Sequence, residues 1–120
     1  MNVQEALPDL GQFTGSETWY RHGLVPGVVY TDGVRYVAEK AGAHWLIDKI
    51  ATLQMDPVVA RQRFQVWKLE ITEGVQGATL TMEDGNNDKV YTEDINFTDF
   101  PEPGITLWFT DKTILLPSEY

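Results

Sequence analysis

His44 and Asp48 stand four residues apart, with Lys40 one turn earlier, so on a helix all three would share one stripe. A carboxylate that orients an imidazole is the minimum for general-base catalysis. Arg21 and His22, in the aromatic run Trp19-Tyr20-Arg21-His22, are the other polar groups such a site could recruit. Arg21, His22, Lys40, His44 and Asp48 thus define a candidate pocket for a small enzyme or ligand-binding domain. It requires the five to converge, with His44 within hydrogen-bond reach of Asp48. The nucleophile is missing. There is no cysteine, and the two serines, Ser16 and Ser118, do not lie in a nucleophile elbow. Pairing along a solvated helix surface is the simpler account of the stripe.

Metal and phosphate chemistry find less support. His22 and His44 are the only histidines, and neither lies in HExxH or another zinc-ligand spacing. The loop Glu83-Asp84-Gly85-Asn86-Asn87-Asp88 is rich in oxygen ligands but lacks the terminal bidentate Glu of a calcium hand. Asn, Asp and Gly are also what a hairpin turn needs. Neither GxxxxGK[ST] nor GxGxxG occurs. No metal and no cofactor is expected. Trp19, Tyr20, Trp45, Trp67 and Trp108 could line a pocket, but a chain of this size needs large side chains to fill its core.

Charge is the stronger signal. From Glu70 onward eleven acids stand against Lys89 and Lys112 alone, while acids and bases balance before it. The whole formal charge of −9 therefore belongs to the last 51 residues. Such a surface repels phosphates, which argues against direct nucleic-acid binding and for a basic protein partner. Glu83, Asp84 and Asp88, then Glu93, Asp94, Asp99 and Glu102, form the candidate acidic ridge along a hairpin and beyond it. A solubilising surface is the plain alternative.

The elements that must carry these residues follow from period and punctuation. The 120 residues suit one domain, with 1–12 as a loosely ordered arm and a Thr14–Glu17 capping box. Thr18 to Tyr30 reads as a hairpin about Pro26-Gly27. Thr31-Asp32-Gly33 supplies a helix N-cap. The apolar stripe Val34, Val37, Ala38, Ala41 shifts to the opposite face past Gly42, which predicts a kinked or two-piece helix. Asp56-Pro57 opens a short turn of helix. From Phe64 the period becomes two, with Gln65, Trp67, Leu69 and Ile71 on one face. Strands at 78–82, 90–97, 105–109 and 113–116 follow, parted by turns at Gly74–Gly77, Asp84–Asn87, Pro101–Gly104 and Asp111. The expected fold is α+β: an N-terminal hairpin and a kinked or two-piece helix packed on a C-terminal antiparallel meander. A free edge at Thr113–Leu116 would favour a homodimer.

Several segments together are familiar: Phe13-Thr14-Gly15-Ser16-Glu17, Trp19-Tyr20-Arg21-His22, Tyr30-Thr31-Asp32-Gly33 and the stretch Ala38 to Asp48. Phe64 to Leu69, Glu83-Asp84-Gly85-Asn86, Phe97 to Pro101 and Leu116-Pro117-Ser118-Glu119-Tyr120 complete them. Over about Phe13 to Tyr120 the chain resembles a family of small bacterial proteins, a domain of unknown function met on plasmids, phages and other mobile elements. The resemblance implies context and no catalytic residues. Small accessory proteins of mobile elements often bind host or defence proteins. The expectation is a non-enzymatic acidic interaction module, blocking a basic nucleic-acid-handling host defence protein. The alternatives are the pocket around His44 and Asp48, and a structural homodimer. No apolar run reaches the ~20 residues of a membrane span, and Met1–Leu10 has no basic region of a secretory signal, so a cytoplasmic protein without membrane contact is expected.

Overall fold

Helix boundaries fall where capping chemistry puts them. The computed structural model describes residues 19–71, 77–96, 98, 100, 101 and 103–120. The arm at 1–12, the Thr14–Glu17 capping box, most of the Gly74–Gly77 turn, Phe97, Asp99 and Glu102 lie outside the described residues. Thr31 is the N-cap of α1 (Asp32–Ala41), its hydroxyl accepting from the Val34 N–H at 3.3 Å. Gly42 ends that helix in the left-handed conformation, φ 62°, which a residue without Cβ adopts at no steric cost. The chain then restarts as α2 (His44–Leu53). The expected two-piece helix is present. The break lets Val34, Val37 and Ala38 on one piece, and Leu46, Ile47, Ile50 and Ala51 on the other, enter one core. Asp56 caps a single turn, α3 (Pro57–Ala60), accepting from the Val58 N–H at 2.9 Å.

Among the described residues seven strands make one mixed sheet. They are β1 (Trp19–Arg21), β2 (Val29–Thr31), β3 (Phe64–Ile71), β4 (Ala78–Glu83), β5 (Lys89–Ile95), β6 (Gly104–Thr110) and β7 (Thr113–Leu115). A 3-10 turn, Pro117–Glu119, follows. The order is β1-β2-β7-β6-β3-β4-β5, and the fold is α+β with the helices packed on the sheet. β3, β4 and β5 form the expected meander. β6 instead returns to the other side of β3, and β7 lies between β6 and β2, parallel to β2. The free edge at 113–116 that would have favoured a homodimer is therefore not present. The last strand is paired on both sides and offers no edge for a homodimer.

The pleat sorts the side chains. On the face toward the helices lie Trp67, Leu69, Leu80, Met82, Leu107 and Ile114, all within 2 % of full burial. Gln65 sits among them, fully buried, because its amide is saturated. It exchanges hydrogen bonds with Gln54 at 2.7 and 2.9 Å, donates to Val59 O, and accepts from the Trp67 indole N–H at 2.9 Å. That polar residue on an apolar stripe ties the end of α2 and the α3 turn to the sheet. The second face carries Val66, Lys68, Glu70, Thr79, Thr92, Asp94 and Trp108. Phe64, Trp108 and Tyr120 stack edge-to-face there, with centroids 5.1 to 6.0 Å apart.

Where β2 becomes α1, a carboxylate from the far end of the chain is buried. Glu119 accepts from the Thr31 hydroxyl at 2.7 Å, the Leu116 N–H at 2.8 Å and the Gly33 N–H at 3.3 Å. A Cβ on Gly33 would stand 2.7 Å from that carboxylate, closer than real contacts allow. Ala ordinarily stabilises a helix by about 1 kcal/mol over Gly. Here the sign reverses: Gly33→Ala displaces the carboxylate from its donors and should cost about 1–3 kcal/mol. Urea unfolding measures it, through a fall in the midpoint at constant slope.

Candidate functional site

The loop after β1 turns back on itself, with His22 N–H on Val28 O at 2.8 Å, and this buries the His22 ring. Its Nδ1 accepts the Leu24 and Val25 N–H groups at 3.2 and 3.0 Å. An atom that accepts from two N–H groups carries no proton, so the proton is on Nε2, which donates to Asp48 Oδ1 at 2.7 Å. A carboxylate–imidazole pair is therefore present, but with His22 and not with His44. His44 opens α2 on the exposed side, and among the described residues it has no hydrogen-bond partner. Arg21 and Lys40 are exposed too, Lys40 lying over the Tyr36 ring at 5.8 Å. Of the five pocket candidates only His22 and Asp48 meet. Both ring nitrogens of His22 are occupied, so the pair lacks the free nitrogen a general base needs. It fastens the β1–β2 loop to α2.

A second polar cluster lies at the β5 edge on the helix side. Glu93 faces Leu80 across the strands, which turns it inward, and Lys49 of α2 meets it at 2.7 Å. The Tyr91 hydroxyl, two residues back on the same face, donates to the other oxygen. Hydrogen bonds from Lys49 and then Tyr91 hold the Glu93 carboxyl below its ordinary range. Burial, then the bond to Glu93, pushes the Tyr91 phenol up to about 12. The cluster packs beside Trp67, whose ring centroid is 6.0 Å from that of Tyr91.

The candidate acidic residues divide by position. Glu93 is paired inward, as above. Glu83 is on the second face, paired with Lys68 at 3.2 Å. Asp84 closes the hairpin, its carboxylate accepting from the Asn86 and Asp88 N–H groups at 2.7 and 3.1 Å. Asp88 is exposed at the hairpin tip. Asp94 is exposed on the second face, opposite Thr79, which faces Glu70 in turn. Glu70, Thr79 and Asp94 thus form one row across three strands, and the Thr79 hydroxyl lies 3.5 Å from Asp94. Among the described residues neither Glu70 nor Asp94 has a cationic partner. Glu70 is a candidate that sequence reasoning missed. Its signal was available: the inward stripe Gln65, Trp67, Leu69 places residue 70 on the other face. Also among the described residues, no three His, Asp or Glu side chains are placed to hold a metal ion.

A family model described as a family of unknown function (DUF6876) matches residues 4–120. The chain belongs to that family. No curated protein and no solved structure matches it. Among the described residues of this DUF6876 domain, no helix is long and apolar enough to cross a membrane.

Two measurements check the polar clusters of the DUF6876 domain. Nitrogen-15 NMR of the imidazoles should show His22 as the Nε2–H tautomer, with Nδ1 an acceptor; a proton on Nδ1 would break the loop assignment. An absorbance titration of the five tyrosines should show one ionising near 12. Glu93→Gln should lower that step only part-way, because burial, its largest cause, remains. The Glu93 carboxyl is held low when folded, so its contribution to stability is complete at neutral pH. It is lost as pH falls through the carboxylate range.

Proposed function

We propose that this DUF6876 protein is a non-enzymatic interaction module that binds a basic protein partner through the acidic second face of its sheet. The observation that carries the reading is the row Glu70–Thr79–Asp94. Two exposed carboxylates stand in register two strands apart, about 10 Å, with no cation paired to either among the described residues. A flat, ordered pair of that spacing suits the Lys and Arg side chains of a partner, and it speeds encounter at low salt. The distribution of charge supports it, since the acids from Glu70 onward have so few bases among them. His22 and Asp48 support it from the other side, being engaged in architecture.

The resemblance to small accessory proteins of mobile elements sets the class of partner in this reading. A host defence protein that handles nucleic acid has a basic channel, and an acidic sheet face would block it by occupying the place of phosphates. Tagged protein in host lysate at low and moderate salt tests the proposal, with Glu70→Gln/Asp94→Asn as the control. Glu93 is unsuitable for that control, because neutralising it breaks the Lys49 and Tyr91 contacts. The expected result is one stoichiometric basic partner, weakened by salt and lost in the control. Capture that is indifferent to salt and to both substitutions would refute the acidic face.

A further inference from the structure

At the other end of the second face a cleft of about 290 Å³ is lined by Trp19, Tyr120, Asp111, Glu119, Leu115 and three threonines. That size is below the usual range for a drug-sized ligand and suits a single side chain. Its chemistry is one-sided. Two aromatic rings, two carboxylates and three hydroxyls supply faces and acceptors, and the lining includes no Lys or Arg. Trp19 and Tyr120 are 55 % and 76 % exposed, large areas to leave in water unless something covers them. Leu115, beside them, is only 7 % exposed.

The two carboxylates play different parts. Glu119 is engaged with Thr31, Gly33 and Leu116, so it gives the cleft negative charge without being free to move. Asp111 sits in the β6–β7 turn and is exposed, and among the described residues its carboxylate has no hydrogen bond or ion pair. Arg63 and Lys112 share the adjoining cavity with Asp111, yet neither pairs with it.

We infer that this cleft receives an arginine side chain of the basic partner, its guanidinium lying against the Trp19 and Tyr120 rings and donating to Asp111. Arginine fits better than lysine. A planar guanidinium stacks flat on an aromatic face while its in-plane N–H groups donate to a carboxylate, whereas a compact, strongly hydrated ammonium offers a point charge with no plane to stack. The inference rests on the reading of a basic partner but uses different residues from the Glu70–Asp94 row, so the two can fail separately.

The probe is an acetylated tetra-arginine peptide, against the same peptide in citrulline and in lysine. Binding is followed by chemical-shift changes at the tryptophan indole N–H groups and the backbone amides. The arginine peptide should move the Trp19 indole signal, and the citrulline peptide should not. Asp111→Asn should weaken that binding about two- to five-fold, the range of an exposed ion pair. Asn tolerates the positive φ of position 111, 50°, so this variant keeps its turn. Glu70→Gln/Asp94→Asn should leave the Trp19 response in place. Arginine shifts confined to β4 and β5, with Trp19 unmoved, would overturn the cleft and leave the acidic face standing. Equal binding of the lysine peptide would overturn the choice of guanidinium, and no shift at millimolar peptide would overturn both readings.

Discussion

The Glu119 carboxylate is the constraint on which the rest of the structure depends. β2 and β7 run parallel, so no tight turn can join them, and what meets at their ends reinforces a short ladder of two residue pairs. Thr31 closes β2, Leu116 follows β7, and Glu119 takes a hydrogen bond from each. It also accepts from Gly33 in the first turn of α1, where the helix dipole favours a negative charge. Burying a lone carboxylate costs several kcal/mol. Three donors and a helix N-terminus offset that cost, and only with all of them in place. One side chain therefore fastens the end of the parallel pair, the start of α1 and the path of the last residues together.

Local rules made much of this fold legible. The Gly42 break, the Thr31 and Asp56 caps, the inward stripe of β3 and the Asp111 turn are each decided within a few residues of sequence. What escaped was non-local. The insertion of β7 between β6 and β2 depends on partners more than 80 residues apart, and nothing in Thr113–Leu116 distinguishes an edge strand from an interior one. The site shows the same division. The spacing of His44 and Asp48 is a true helical spacing, and both residues lie on α2. Asp48 nevertheless bonds to a ring 26 residues away, because a buried imidazole with one N–H to satisfy outbids an exposed one that water already satisfies.

The acidic half illustrates how a pleat edits a charge count. Glu93 and Asp94 are neighbours in sequence and opposites in space: one pairs with a helix lysine, the other faces outward beside Thr79. Glu70, distant in sequence, becomes a neighbour of Asp94 on the same face. A string of acids along the chain is thus divided between the two faces of the sheet where the pleat alternates it. Register decides which carboxylates add their fields, and register was the one quantity the hairpin turns alone could not supply for β3.

Among the described residues, no buried side-chain nitrogen or oxygen lacks a hydrogen bond. Gln65, His22, Thr31 and Glu119 are polar groups of the interior, and each is saturated by named partners. A catalytic group is usually the exception to that rule, since it must keep a donor or acceptor in reserve for substrate. Here the reserve lies at the surface, in Glu70, Asp94 and Asp111, and beside the rings of Trp19 and Tyr120. Carboxylates without cations and aromatic faces without covers are complementary to the same kind of guest. Two separate parts of one sheet face thus present the same demand, and in the proposed reading a basic protein surface meets both.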